Sequence, residues 1–271
     1  LKSHIRSMQQ MTDNNKKSCV EAHDIWAAFS LLTRIRIPVN HNRAGNRASN
    51  ATWAYPLVGA IVGAISGLFL TLMSLIGLPS GFCAAITLLV LIAITGAMHE
   101  DGLADCADGF WGGQSSSRRL EIMKDSSIGV YGACALIIFL LAELSAIETL
   151  IAIDPIWSLA GVGAISRLPM VIAMRYVPNA RNNGLAASVG MPQLCSVLIA
   201  IILAILIALT CFGTSGLLIL LVGLISALPI FLIGKVKING QTGDVLGASQ
   251  KFSEIGTLAT ILVLQALSIL N

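Results

Sequence analysis

Residues 194–212 read LCSVLIAIILAILIALTCF, a run without one charged side chain. A bilayer core about 30 Å thick is crossed by about 20 apolar helical residues. Hydrocarbon offers the backbone no outside hydrogen-bond partners, so such a run reads as a spanning helix. Working outward, six further apolar runs lie near 55–77, 82–99, 128–152, 156–175, 215–234 and 254–270. Pro79, Gly81, Pro155, Gly213 and Gly216 mark short turns between runs. The 271 residues are 55 % apolar and 11 % charged, with a mean hydropathy of +0.82. Soluble domains carry about 25 % charged residues. A disordered chain, a disulfide-stapled miniprotein and an ordinary soluble domain are thereby excluded. The expected fold is all-α, a polytopic transmembrane helix bundle of about seven spans.

Residues 1–24 are polar, carry Lys2, Arg6, Lys16 and Lys17, and read as a mobile tail without the apolar core of a signal peptide. Residues 25–271 read as a single integral-membrane catalytic domain. Its first stretch, ending at Leu32, is apolar but too short to span, and Arg34 and Arg36 follow at once. It reads as an N-terminal interfacial amphipathic helix with Asp24 as its N-cap. Residues 40–50 read as a polar loop. Gly59, Gly63 and Gly67 repeat at i, i+4, i+8, a spacing that lets another helix approach closely. The six cysteines are scattered with no C-x-x-C pair, so neither a zinc site nor a redox pair is expected.

Orientation follows from the seventeen Lys and Arg. Eight precede the first span. Arg118, Arg119 and Lys124 fall between the second and third, Arg175 and Arg181 at or after the end of the fourth, and Lys235, Lys237 and Lys251 between the sixth and seventh. Only Arg167 falls inside a span. Seven spans with the N-terminus inside place every basic loop residue in the cytoplasm, and the C-terminus outside. Three polar loops then face the cytoplasm: 99–127, 176–193 and 235–253.

Chemistry on a charged substrate must use those loops. In the first, Asp101, Asp105 and Asp108 stand at i, i+4, i+7, which on a helix is one face. Three like charges beside a membrane are costly unless cations neutralise them. Hard carboxylate oxygens suit Mg²⁺, with Mn²⁺ as the alternative. Glu121 and Asp125 form a second acidic pair at i, i+4. Asp125 is the candidate fourth metal ligand, and Arg118 and Lys124 beside it are candidates for phosphate. The plain alternative is a solvated acidic helix end with ordinary ion pairs. His99 precedes the cluster as a catalytic candidate. It could act as general base, as metal ligand, or by holding a ligand from behind; oxygen-rich sites seldom need imidazole, which favours the last.

Downstream, Gly240-Gln241-Thr242-Gly243-Asp244-Val245-Leu246-Gly247-Ala248 is glycine-rich and polar. Its backbone N–H groups could cradle a phosphate, although no P-loop is present. Arg181 offers another cation beside a turn. Arg167, buried in a span, needs an acidic partner such as Glu143, or a phosphate. Read from the residues alone, the chemistry is phosphoryl transfer at the cytoplasmic membrane face.

Several motifs together resemble the cobalamin-5′-phosphate synthase family, also called adenosylcobinamide-GDP ribazoletransferases. They are His-x-Asp-Gly-Leu-Ala-Asp-x-x-Asp-Gly from His99, Glu-Ile-Met-Lys-Asp-Ser-x-Ile-Gly-x-x-Gly from Glu121, and Gly-Gln-Thr-Gly-Asp-x-Leu-Gly-Ala from Gly240. Thr33-Arg34-Ile35, Tyr55-Pro56-Leu57-Val58-Gly59, Ser166-Arg167 and Ala180-Arg181 extend the resemblance over about residues 25–255. It implies a multi-pass inner-membrane transferase of late cobalamin biosynthesis, with its site on the cytoplasmic side. It further implies Mg²⁺ dependence and two substrates, adenosylcobinamide-GDP and α-ribazole or its 5′-phosphate. The ribazole hydroxyl would attack the phosphorus attached to cobinamide, and GMP would leave.

Glu100 stands where the family usually has an apolar residue, which is expected to add charge beside the metal face. Ser127 replaces a common basic residue. Membrane lipid is the expected surrounding, no nucleic-acid partner is expected, and a homo-oligomer stays open. Two other readings compete with this one. The CDP-alcohol phosphotransferases also hold a nucleotide diphosphate with spaced aspartates, but Asp105 stands one position too early for their pattern and no Arg follows. A transporter is disfavoured because the carboxylates gather at one face and no inverted repeat is evident.

Overall fold

The computed structural model describes residues 18–267, and every regular element among them is helical. The expected mobile tail therefore lies outside the described residues up to Lys17. From there the helices are α1 (Ala22–Leu32), α2 (His41–Arg47), a 3₁₀ turn (Asn50–Ala54), α3 (Tyr55–Leu75), α4 (Ser80–Thr95), α5 (Met98–Gly112), α6 (Ser116–Ile122), α7 (Val130–Leu150), α8 (Pro155–Tyr176), α9 (Leu185–Val189), α10 (Leu194–Phe212), α11 (Ser215–Ile238) and α12 (Gly243–Ala266). Five segments are long and apolar enough to cross a membrane: Asn50–Leu75, α7, α8, α10 and α11. The protein is a multi-pass membrane protein of the all-α class.

The glycine stripe of α3 does what its spacing requires. A Cβ at Gly59, Gly63 or Gly67 would collide with the backbone of Gly163, Leu159 or Pro155. The α3 and α8 backbones are thus in direct contact, which only Gly permits. Asp154 caps α8, accepting from the N–H groups of Ile156 (3.1 Å) and Trp157 (3.2 Å), and Pro155 opens the helix.

The structure corrects the sequence reading in several places. The run at 82–99 breaks at Gly96 (φ +68°) and Ala97 (φ +58°), and α5 leaves α4 at 87°. The pair α4–α5 therefore counts as at most one bent span. The expected seventh run is the second half of α12, a 24-residue helix that carries Lys251 and Glu254 buried in its interior. The three long polar loops are mostly helical as well: α5 and α6 fill the first, α9 sits in the second, and the third shrinks to residues 239–242 between α11 and α12.

Nearer the N-terminus, residues 40–50 contain α2, capped by Asn40. Asp24 is not the cap of α1. Glu21 is, and the fully buried Asp24 binds Arg47 Nε (2.7 Å) and Trp53 Nε1 (3.0 Å). Burial pushes its carboxyl up, but hydrogen bonds from Arg47, Trp53 and the Glu21 amide outweigh this and hold it below the ordinary value. Cys19 and Cys195 are joined by a disulfide that ties the segment before α1 to the start of α10, a pairing their spacing does not announce.

Behind α5 lies a buried ionic cluster. Lys251 Nζ on α12 sits 3.0 Å from Glu100 Oε1 on α5, 2.5 Å from Glu143 Oε1 on α7 and 2.8 Å from Glu254 Oε2. Replacing Lys251 by Met leaves these carboxylates buried without their counter-ion. That should cost about 3–5 kcal/mol, read as a lower thermal midpoint in detergent. Adding Glu143→Gln should restore part of the loss. An unchanged midpoint in Lys251→Met would contradict the role given to this ion pair.

Candidate active site

The bend at Gly96-Ala97 turns α5 across one end of the bundle. Leu103, Cys106 and Phe110 on its back join Val245 and Ala248 of α12 and Ile230 and Ile238 of α11 in one apolar cluster. Asp101, Asp105 and Asp108 consequently share the other face. Cys106, the one cysteine within the polar motif, is buried, and burial pushes its thiol pKa up, so it behaves as a core residue.

Main-chain pairing brings the other residues to this face. Gln241 N donates to Pro178 O and Ala180 N to Gln241 O, both at 2.8 Å, while Gln241 Nε2 reaches Asn179 Oδ1 at 2.5 Å. These bonds fasten 178–181 to 239–242 and set Arg181 Nη2 3.1 Å from Asp244 Oδ2. Thr242 caps α12, accepting from Val245 N at 3.3 Å. A Cβ at Gly240 would strike Pro178 O, whereas one at Gly243 would meet nothing nearer than Leu185 Cβ at 3.7 Å. Tolerance of a bulky side chain is thus set at Gly240 by the backbone and at Gly243 by the adjoining cavity. A Cβ at Gly102 would lie 2.7 Å from Asp244 O, and one at Gly247 3.2 Å from Met98 O. These two glycines let α5 and α12 touch where the acidic residues face each other. Both stand in the quoted motifs, but their spacing follows no stripe and does not announce this packing role.

The result is an acidic group with one nearby cation. Burial pushes the Asp105 carboxyl up to about 7, and the charges of Asp101, Asp244 and Asp108 add to the effect, opposed by Arg181. Burial also raises Asp244, opposed by Arg181 and Thr242. Arg181 Nη1 is buried with no hydrogen-bond partner among the described residues, and so is His99 Nε2.

Other candidates lie elsewhere. Both oxygens of Asp108 accept backbone N–H groups, Gly129 at 2.7 Å and Gly132 at 2.9 Å, so Asp108 caps α7 from a neighbouring helix. Asp125 is exposed after α6, and its hydrogen bonds from Ser127 hold its carboxyl below the ordinary value. Arg118 pairs with Glu121 at 3.0 Å, both exposed, and Lys124 is exposed too. Arg167 donates to Gly163 O (3.2 Å) and Ser166 Oγ (3.1 Å) and lines a small cavity with Glu100, Glu143 and Glu254. Glu100 points into that same cluster, so its charge serves Lys251 rather than the aspartate face. Among the described residues, no three His, Cys, Asp or Glu side chains converge as a ready-made metal cage. The four-aspartate set expected from sequence is not assembled. Asp101 and Asp105 are brought together with Asp244 instead.

A family profile described as cobalamin-5-phosphate synthase matches residues 24–262, from the start of α1 to near the end of α12. The chain belongs to this family. Proteins named adenosylcobinamide-GDP ribazoletransferase resemble it over most of their length. That of Azorhizobium caulinodans is 37 % identical over 253 residues, covering 89 % of this chain and 95 % of its own. That of Bradyrhizobium diazoefficiens is 37 % identical, covering 90 % and 93 %. That of Brucella ovis is 36 % identical, covering 88 % and 95 %. No solved structure matches. The protein is therefore a transferase of cobalamin synthesis, and the cluster of Asp101, Asp105, Asp244 and Arg181 is its candidate active site.

The raised Asp105 carboxyl has a consequence for stability. The unfolded chain loses this proton near 3.8 and the folded chain near 7. Its contribution is complete below about pH 4 and lost as pH rises through about 7. Without divalent cations, Asp105→Asn should raise the thermal midpoint at about pH 8 and change it little at about pH 4.5. Equal midpoints for both proteins at both pH values would refute this placement of Asp105.

Proposed function

We propose that the protein joins adenosylcobinamide-GDP to α-ribazole or its 5′-phosphate and releases GMP, using Mg²⁺, at the cytoplasmic face of the inner membrane. One observation carries the reading: three carboxylates and a guanidinium from separate segments gather at one end of the bundle. The names of the relatives supply the substrates. The acceptor hydroxyl forms a new P–O bond at the phosphorus attached to cobinamide. The bond to the bridging oxygen breaks, GMP departs with that oxygen, and the hydroxyl proton is released.

The residues fit a divalent cation by donor chemistry. Mg²⁺ is commonly held by one or two carboxylates, with waters and substrate phosphates completing its shell, so a preformed cage is not required. Asp101 and Asp105 would hold it, with Asp244 beside them, and Mn²⁺ would serve the same oxygens. When bound, the cation neutralises charge on the diphosphate. Arg181 would donate its free Nη1 to a phosphate oxygen, a charge-assisted contact. Gly243, at the first turn of α12, offers a backbone N–H beside it. His99, which lines the same cavity as Asp101 and Asp244, would hold the ligands from behind through its free Nε2.

Detergent-purified protein with Mg²⁺, adenosylcobinamide-GDP and α-ribazole 5′-phosphate should release GMP. Asp101→Asn and Asp105→Asn should lose on the order of 10²-fold or more, and Arg181→Ala less. Near-normal turnover in Asp105→Asn would remove this face as the site, and no release by the wild type would remove the reaction.

Orientation is tested separately. Reporter fusions after residues 115, 185 and 243 should report the cytoplasm, and those after 80, 154 and 214 the outside. A cytoplasmic report at 154 would overturn the orientation.

A further inference from the structure

A cavity of about 210 Å³ opens beside Asp101, Asp244 and Arg181. Away from these charges and from His99 its walls are mostly apolar: Leu31 and Leu32 of α1, Met170 and Met174 of α8, Val189 of α9 and Leu246 of α12. The one hydroxyl among its lining residues belongs to Tyr55, which is buried. α9 forms part of the wall between Gly184 (φ +102°) and Gly190 (φ +81°), positions where an L side chain would be strained. Their reversals turn Ala186 and Val189 inward.

We infer that this cavity binds the aromatic base of the acceptor nucleoside and sets its specificity. The inference rests on the transferase reading above and deepens it. An engineered cavity of about 150 Å³ accepts benzene. The present one is large enough for a bicyclic ring and far too small for a corrin macrocycle. Of the three bicyclic bases in the reaction, guanine and the adenine of the adenosyl group carry several edge donors and acceptors. Those that reach the Leu, Met and Val walls would be left unpaired, and a site penalises such groups strongly. The benzimidazole of ribazole is apolar apart from one free ring nitrogen, and Tyr55 supplies one hydroxyl that can donate to it. Three methionines, Met98, Met170 and Met174, flexible and polarisable, suit the face and edge of such a ring. The cavity's charged border would leave the ribose and its 5′-phosphate beside Arg181, where the transferred phosphorus must also come.

The experiment uses the full chain in detergent with Mg²⁺. Wild-type protein is given ribosides of dimethylbenzimidazole, benzimidazole and imidazole. The acceptor KM should rise about fourfold for each methyl removed and further for the imidazole riboside. Val189→Phe and Leu32→Phe, which fill the cavity from two sides, should each raise the KM for α-ribazole 5′-phosphate at least tenfold. Both should leave the calorimetric Kd of adenosylcobinamide-GDP within twofold of wild type. The two variants guard against one failing to fold, and each is checked by its thermal midpoint. A raised Kd for adenosylcobinamide-GDP with an unchanged acceptor KM would place a purine of the donor in the cavity and overturn the proposal. Equal KM values for all three ribosides would overturn it too. If wild-type protein releases no GMP, the transferase reading fails. Calorimetry with α-ribazole alone then decides the cavity, and absence of binding to wild type, or equal binding to Val189→Phe, overturns the assignment.

Discussion

Lys251 is the point on which the bundle is assembled. An ammonium inside a membrane protein is tolerated only with partners, and its partners come from α5, α7 and its own helix. Gln250 Nε2 extends the network to Ser166 on α8 at 3.1 Å. Four helices must therefore meet at one depth, in one rotation about their axes. Because Glu100 is committed to this interior, the next residues of α5 cannot all face inward as well. Asp101 and Asp105 are turned to the surface that α12 and the 178–181 segment approach. The orientation of the candidate catalytic face is in that sense a consequence of where Lys251 finds its counter-charges.

This also explains a polar helix at the centre of an apolar fold. α12 buries most of the residues from Val245 to Glu254 against neighbouring helices. The surrounding spans supply the hydrocarbon-facing surface, with Leu198, Ile202 and Leu206 of α10 and Leu218, Leu221, Ile225 and Leu232 of α11 exposed. Polarity is thus sorted by radius rather than by segment. A central helix can carry Lys, Glu, Gln, Ser and Thr because its neighbours satisfy them.

The apolar runs and the i, i+4, i+8 glycines were legible because both are local patterns tied to one helix period. The aspartate face was legible for the same reason. What escaped is what depends on distant partners. Asp108 matches its two neighbours in spacing, yet its oxygens are taken by the N-terminus of α7, 21 and 24 residues downstream in the chain, and no local pattern reveals that. Asp125 sits in a persuasive motif but ends in solvent. Lys251 was read as a loop cation because a single Lys lowers hydropathy whether it is wet or buried; Glu254 at i+3 was the only hint. The break at Gly96-Ala97 was hidden in a continuous apolar run, since a left-handed Ala costs little in hydropathy but redirects a helix.

The charge balance of the site ties its stability to its chemistry. Asp101, Asp105 and Asp244 meet with Arg181 as the nearby cation, and Asp105 is held half-buried against its own ionisation. Such a surface repels a bare diphosphate as strongly as it attracts cations. On the proposed reading, the diphosphate can approach only once positive charge has been added, so the cation acts as a condition of entry as well as an electrophile. The apolar cavity alongside carries no such condition. A largely uncharged aromatic base can occupy it whatever the metal content of the site, which would let the two substrates bind by independent forces at adjoining positions and still bring hydroxyl and phosphorus together between Asp101 and Arg181.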